Sequence, residues 1–282
     1  MKSKQSRSIP KSIATHALLF AWAVTTVLPL LWVFINSFKS SNEMLRNSMA
    51  LPSSLDFKNY ATLMSYPDVS LPRSFLNSFI ISGSVVLGAL LLSGMAAFAL
   101  SRIESKASKY VESLLVACLL APSFATIIPN FVTVSRLSFM KDTYLTAIVP
   151  QISGNLCFTI ILLTGFMRSI PYEIDEAAVM DGASAPLLFW QIAVPLSKPM
   201  FATVSIMVFI ASYNDLLTSM VYLSRQALKP VCVILSMVSN MFGTDYGAMM
   251  AAIFITMLPL MLLYTLAQEQ VLKGLTAGAT KG

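Results

Sequence analysis

Long apolar runs separated by short polar segments dominate the chain. A membrane-crossing helix needs about 20 mostly apolar residues. Six runs reach that length, at residues 16–36, 75–100, 113–135, 144–166, 199–223 and 246–268. Charged residues bound the runs, and a single charge, Asp215, falls inside one of them. The pattern predicts an all-α polytopic membrane protein with six transmembrane helices.

Two further segments need separate interpretation. Residues 230–244 are apolar and uncharged but too short to span a bilayer, which predicts a re-entrant or interfacial helix. The first run follows a basic tail and superficially resembles a signal peptide. It is longer than the roughly 7–15 apolar residues of such a peptide, so we expect a retained span.

Six spans place both ends of the chain on the same side of the membrane. Lys and Arg favour cytoplasmic segments, and the segments on the side of the termini hold eleven of them, against eight on the other side. The bias predicts a cytoplasmic tail at 1–15, an extracytoplasmic loop at 37–74, a core of five spans at 75–268 and a cytoplasmic tail at 269–282.

Composition agrees with a membrane location. The 282 residues are 56% hydrophobic and 11% charged, whereas soluble domains carry roughly 25% charged residues. The net charge of +6 could suggest nucleic acid, but no basic groove interleaved with aromatic residues is visible. Three cysteines without paired spacing and one histidine predict neither a disulfide framework nor a metal site.

The connection at 167–198 is long and charged, and it predicts two short helices. Pro171 suits the first turn of a helix, and Glu173, Asp175 and Glu176 follow where the helix dipole favours acidic groups. Gly182 is expected to end this helix. Ser184 can cap a second helix, and Pro195 is expected to stop it.

The first of these helices has an apolar face and an acidic face. At 100° per residue, one face holds Ile174, Ala177, Ala178 and Asp181, and another holds Glu173, Glu176 and Met180. An amphipathic helix on lipid and a helix docked on a protein partner both fit this pattern. Anionic lipid attracts basic faces, so the acidic face favours a protein partner.

The spacing within this connection resembles a family motif. The chain reads Glu-Ala-Ala, three residues, Gly, nine residues, Ile, one residue and Val-Pro. This resembles the EAA motif of binding-protein-dependent ABC importer permeases (EAA-x3-G-x9-I-x-LP), with Val194 in the place of Leu. The resemblance implies that a coupling helix docks in a cleft of an ATPase subunit, with the matching positions at Glu176, Ala177, Ala178, Asp181, Gly182, Ile192 and Pro195.

Other segments resemble the carbohydrate branch of that family, over roughly residues 10–282. They are RSIP at 168–171, DGAS at 181–184, VPLSKP at 194–199, Tyr213-Asn214-Asp215, and GTDYG at 243–247. The C-terminal GLTAGATKG, residues 274–282, is characteristic of the second, MalG-like permease. The resemblance implies a MetI-like permease in a bacterial or archaeal plasma (inner) membrane.

The same resemblance implies a set of partners. They are a second permease subunit, two ABC ATPase subunits, an extracytoplasmic solute-binding protein and membrane lipid, with no nucleic acid. The chain has no GxxxxGK[ST] phosphate loop, so we expect ATP and Mg on the partner ATPase, no cofactor on this chain and no enzyme activity. Sugars, oligosaccharides, glycerol phosphate and polyols are all compatible solutes.

Polar groups within spans are costly and point to function by default. Tyr213, Asn214 and Asp215 are therefore candidates for the solute pathway, although Asp215 could equally be solvated at the outer end of the fifth span. By resemblance, the tail residues Gly274, Gly278 and Lys281 are candidates for ATPase contact. An ion-coupled secondary transporter is the alternative class, but no inverted repeat or second intramembrane carboxylate supports it.

Overall fold

The structure is a computed structural model that describes residues 9–65, 70–103, 105–242 and 245–279. All regular structure in these ranges is helical, which confirms the all-α class. The first helices are α1 Ile9–Asn36, α2 Ser41–Arg46, α3 Lys58–Met64, α4 Leu71–Arg102, α5 Lys106–Leu119, α6 Ser123–Ser135 and α7 Leu145–Met167. The others are α8 Tyr172–Met180, α9 Ala185–Leu196, α10 Lys198–Tyr213, α11 Leu216–Tyr222, α12 Val231–Phe242 and α13 Tyr246–Ala279.

Four of the described helices, α1, α4, α7 and α13, are long and apolar enough to cross a membrane alone. The pairs α5–α6 and α9–α10 raise the number to six if each pair forms one span. Two compact units divide the chain. One comprises residues up to 67 with 237–258, and the other comprises 68–236 with residues from 259 onward.

Helix α4 is at the centre of the second unit, where it packs along α7 and α10. Its residues Ile81, Val85 and Ala89 recur every four positions, so they share the face that packs into the core. Small residues permit this close packing in lipid, where there is little hydrophobic drive to associate. A Cβ on Gly88 would lie 2.4 Å from the side chain of Ile152 on α7.

Two predicted spans differ from the structure. The run at 113–135 is two helices, α5 and α6, bent by 106° at the break that contains Pro122. Pro122 fixes its own φ and lacks an N–H, which interrupts the helical hydrogen bonds there. In the run at 199–223, α10 ends at Tyr213, and Asp215 caps the short helix α11. The short helix predicted within 230–244 is present as α12.

In the first unit, hydrogen bonds fix the chain that follows α1. Lys39 is fully buried, and its Nζ donates to the carbonyl oxygens of Asn47 and Ser48, each at 3.2 Å. The Asn59 side chain donates to the carbonyl oxygens of Ser37 at 2.7 Å and Lys39 at 3.0 Å. These hydrogen bonds give the buried Lys39 ammonium partners and tie the loop to Asn59 on α3.

Candidate coupling hairpin and solute cavity

We call α8, α9 and the turn between them (residues 172–196) the coupling hairpin. Its turn is a Schellman motif centred on Gly182, whose φ is 88°. The Ala183 N–H donates to the Ala178 carbonyl oxygen, and the Gly182 N–H donates to the Val179 carbonyl oxygen, each at 2.9 Å. This motif requires a left-handed residue directly after the cap, and glycine adopts that conformation without steric cost. It explains why glycine follows Ala178 by four residues.

The second helix of the hairpin differs from the sequence expectation in two places. Ser184 lies at its N-cap, but its side chain makes no capping bond; only its carbonyl oxygen accepts from Leu188, at 2.9 Å. Pro195 does not stop the helix, which continues to Leu196. A π-helical turn at Leu188–Ala193 ends two residues before the proline. That wider turn accommodates the proline ring and its missing N–H.

A buried ion pair attaches the hairpin to the membrane core. Asp175 on α8 pairs with Arg102 at the end of α4, and both side chains are about nine-tenths buried. Arg102 also donates to the carbonyl oxygen of Met167 at 2.9 Å, where α7 ends. Its guanidinium lies 5.2 Å from the ring centroid of Tyr172, whose hydroxyl donates to the Arg102 carbonyl oxygen. The ends of α4 and α7 and the start of α8 therefore meet at one arginine.

A second arginine joins neighbouring helix ends in the same region. Arg168, which follows α7, pairs with Glu112 on α5 through both of its terminal nitrogens, one of them at 3.0 Å from Oε2. It also donates to the carbonyl oxygen of Leu100 on α4 at 3.1 Å. This pair is partly exposed, so solvent weakens it relative to the pair formed by Arg102.

The motif residues of the hairpin lie mostly on its outer surface. Glu176, Ala177, Asp181, Gly182 and Pro195 are exposed, and Ala178 and Ile192 are half-buried. Large apolar side chains accompany them: Met180 is 86% exposed and Val179 is 54% exposed. A groove of about 750 Å³ lies between the hairpin and the end of α4. It is lined mainly by apolar residues, among them Phe98, Ile103, Val179, Met180, Ala185 and Leu188.

Sequence reasoning found the motif residues but missed Arg102 and the role of Asp175. It grouped Asp175 with the exposed acidic residues because all three lie in the first turns of one helix. The structure separates them: Asp175 is buried, whereas Glu173 and Glu176 are exposed. The sequence offered one signal for Arg102, which is a basic residue at the end of a long apolar run. Basic residues in that position also set membrane orientation, so the signal did not indicate an ion pair.

The three candidate solute residues lie in different environments. Tyr213 is buried in an aromatic cluster, 5.9 Å from Phe209 and 6.3 Å from Phe79 between ring centroids. Asn214 is exposed, and its side chain donates to the carbonyl oxygen of Ile210 in its own helix at 3.1 Å. Asp215 is the one of the three that lines the cavity among α6, α7, α10 and α11, and its Oδ1 accepts from the Thr218 N–H at 3.0 Å.

That cavity has a volume of about 280 Å³ and lies among α6, α7, α10 and α11. Three amide side chains that the sequence analysis did not select line the cavity as well, those of Asn130, Gln151 and Asn155. The remaining lining residues are Phe124, Thr126, Ile127, Pro150, Gly154, Ala211, Ser212, Asp215, Leu217, Thr218 and Tyr222.

The candidate tail residues lie at or beyond the end of α13. Gly274 and Gly278 fall within that helix, and Lys281 lies outside the described residues. Within the described part of the chain, no three His, Cys, Asp or Glu side chains cluster as metal ligands.

Curated relatives align with nearly the whole chain. The diacetylchitobiose uptake system permease protein NgcG of Streptomyces coelicolor is 32% identical over 268 residues, which cover 94% of this chain and 87% of the relative. The galactooligosaccharides transport system permease protein GanQ of Bacillus subtilis is 31% identical, with 95% of each chain covered. The trehalose/maltose transport system permease protein MalG of Thermococcus litoralis is 28% identical and covers 92% of this chain.

The fold also matches a solved structure, that of a bacterial ABC transporter involved in the import of the acidic polysaccharide alginate. The TM-score is 0.76 at 22% identity, with 95% of this chain and 98% of that chain covered. A family model described as "Binding-protein-dependent transport system inner membrane component" matches residues 89–276, which include the coupling hairpin and the cavity. The chain therefore belongs to the family of inner-membrane permease components of binding-protein-dependent transport systems.

Proposed function

We propose that this chain is one of two permease subunits of an ATP-driven importer for a sugar or oligosaccharide. The relatives named above carry sugars according to their descriptions, and they align with nearly the whole chain. In this proposal, a solute-binding protein delivers the sugar on the extracytoplasmic side. A second permease completes the pathway, and two ATPase subunits bind ATP and Mg on the cytoplasmic side.

One observation supports the coupling role above all others: the hairpin presents motif residues outward while a buried ion pair holds it from behind. The acidic Glu176 and the apolar Met180 are both exposed on α8. An ATPase cleft with an apolar floor and a basic rim would bury Met180 and pair with Glu176. Burying a Met side chain contributes about 1.5–3 kcal/mol, which is a large share of a helix-in-groove contact.

The attachment of the hairpin suggests how motion would pass into the membrane. Arg102 joins α8 to the ends of α4 and α7, and α9 is followed by α10 through a bend of 78°. A displacement of the hairpin by the closing ATPase dimer would therefore move three spanning segments together. Such a movement would switch the pathway between inward-facing and outward-facing states.

A substitution at Met180 tests the docking surface. The chain is co-expressed with its second permease, ATPase and binding protein, and Met180→Lys is compared with Met180→Leu. We expect Met180→Lys to lower co-purification of the ATPase and sugar uptake by about tenfold or more, since it would bury a charge in an apolar cleft. Met180→Leu should retain both because it conserves volume and polarity. Normal ATPase association by the Met180→Lys complex would exclude this docking mode.

The C-terminal tail is a second proposed ATPase contact, centred on Gly274, Gly278 and Lys281. Helix α13 continues to Ala279, about ten residues beyond the apolar stretch that ends at Glu269. Deletion of residues 275–282 should therefore reduce ATPase assembly and ATP hydrolysis. Unchanged assembly and hydrolysis by the truncated complex would remove the tail from the interface.

A further inference from the structure

The cavity among α6, α7, α10 and α11 is lined by polar side chains of otherwise apolar helices. Gln151 lies six residues after the start of α7, about 9 Å along its axis. Asp215 lies 17 residues beyond Lys198, about 25 Å from the opposite end of α10. For a hydrocarbon core of about 30 Å, the two positions meet in the same half of the membrane.

The polar groups of the cavity are held in place by one another. Gln151 is buried, its Oε1 accepts from the Ser212 hydroxyl at 2.5 Å, and its Nε2 lies 3.5 Å from the Ser219 hydroxyl. Asn155 Nδ2 donates to the Gln151 carbonyl oxygen at 2.8 Å. The bonds of the Gln151 side chain link α7 to α10 and α11 and fix the position of its amide, while Asn155 bonds within α7.

Two aromatic side chains form another part of the wall. Phe124 on α6 is 70% exposed. Tyr222 on α11 is buried, and its hydroxyl donates to the Ile127 carbonyl oxygen at 2.7 Å, which holds its ring against α6. A sugar ring has apolar C–H faces and a polar hydroxyl edge. Aromatic rings beside amides and a carboxylate match both parts of such a ligand.

The charge of the lining selects among sugars. Asp215 is its single ionisable carboxylate, and none of its residues is Lys, Arg or His. The half-buried carboxylate of Asp215 repels anions, since no cation of the lining offsets its charge, whereas it accepts hydrogen bonds from neutral hydroxyls. Phosphorylated and uronic sugars would be disfavoured here. The volume of about 280 Å³ is at the lower end of the range for small-molecule pockets and suits about one sugar ring.

We propose that this cavity is a contact site for one uncharged sugar unit on the translocation pathway, with Asn155 and Asp215 as hydrogen-bonding contacts and Gln151 as a positioning residue. The inference rests on the proposed function and deepens it, because it assigns solute contact to this subunit and specifies a neutral ligand. Asn155 and Asp215 lie 60 residues apart in the sequence and meet only in the folded chain.

The experiment uses the reconstituted complete importer with its binding protein. Uptake of maltose, trehalose, melibiose and N,N′-diacetylchitobiose is measured beside uptake of an alginate trisaccharide, and ATP hydrolysis stimulated by the binding protein is recorded in parallel. The variants are Asn155→Leu and Asp215→Asn, the latter chosen because Asn can also cap α11. Ser113→Ala is the control, since this exposed residue lies outside the cavity lining and its hydroxyl donates to the Lys109 carbonyl oxygen of its own helix.

We expect each cavity variant to reduce uptake of the neutral sugar about tenfold, as one lost hydrogen bond would, while stimulated ATP hydrolysis stays within about twofold of wild type. Parallel loss of uptake and hydrolysis would indicate a structural role and overturn the inference. Wild-type uptake by both variants, or uptake of the alginate trisaccharide by the wild-type importer, would also overturn it. Transport of none of these sugars by the wild-type importer would instead contradict the proposed function.

Discussion

At the scale of single residues, Gly182 illustrates a requirement that comes from the backbone. Its φ of 88° lies in the left-handed region, which costs most L-residues about 1–2 kcal/mol because Cβ approaches the following carbonyl oxygen. A Cβ built on Gly182 would meet no atom within 4 Å. Since space is available, the need for glycine is conformational and not steric.

The conformational reason predicts an order of tolerance at this position. Gly182→Asn should retain most uptake and ATPase association, because Asn also occupies left-handed caps. Gly182→Val should impair both, since a β-branched residue is strongly disfavoured there. The measurement is uptake and co-purification at equal expression levels. Equal impairment by Asn and Val would contradict the backbone explanation and would indicate that the ATPase contacts this position closely.

At the scale of the element, the coupling hairpin is held by an ion pair whose basic partner lies outside the hairpin. Asp175 comes from α8, and Arg102 comes from the far end of α4. Both side chains are nearly inaccessible to solvent, so removing either one leaves a buried charge without its partner. Such a loss costs about 3–5 kcal/mol, whereas replacing both partners by apolar residues is often neutral.

These energetics predict the outcome of a double-mutant cycle. Asp175→Leu and Arg102→Met should each lower the unfolding temperature of the purified complex and weaken ATPase association. The double variant Arg102→Met with Asp175→Leu should recover most of the stability. The matched control is Asp142→Asn, which breaks the exposed pair between Asp142 and Arg225, separated by 3.9 Å.

The control should change stability by less than about 1 kcal/mol, as exposed pairs do. Differential scanning fluorimetry in detergent measures all four variants. A cycle in which the two single substitutions are additive would contradict a direct pair between Arg102 and Asp175.

At the scale of the whole molecule, the apolar surface of the spans requires an environment outside the chain. In the most apolar stretch of α1 no residue is buried within the protein, and in that of α13 only 17% are buried. Lipid or a protein partner must therefore cover these helices. The number of crossings depends on the bent pairs α5–α6 and α9–α10. The described helices give six crossings if each bent pair forms one span.

Six crossings together with the Lys and Arg bias predict that both termini are cytoplasmic. Alkaline phosphatase and green fluorescent protein fused after residue 15, within 37–74 and after residue 282 would test this topology. We expect fluorescence at both termini and phosphatase activity only in the 37–74 loop. Phosphatase activity at the C-terminus would mean that one of the bent pairs does not cross the membrane.

The sequence by itself determined features that depend on near neighbours along the chain. Apolar run length identified the membrane helices, because a bilayer demands about 20 apolar residues whatever else the chain does. Glycine and acidic positions identified α8 and its end, because caps and turns use residues within one or two helical turns. The spacing from Glu176 to Pro195 identified the family because the motif is defined along the chain and requires no knowledge of tertiary contacts.

Only the tertiary structure decided which distant residues meet. Arg102 and Asp175 are far apart in sequence, and Gln151 and Ser212 are separated by 61 positions. Pattern and propensity carry no information about such pairs, since helix packing brings them together. The same packing buried Tyr213, left Asn214 on the surface and placed Asp215 at a cavity, although the three residues are consecutive. A side chain's role in this permease therefore depends on the helix that faces it.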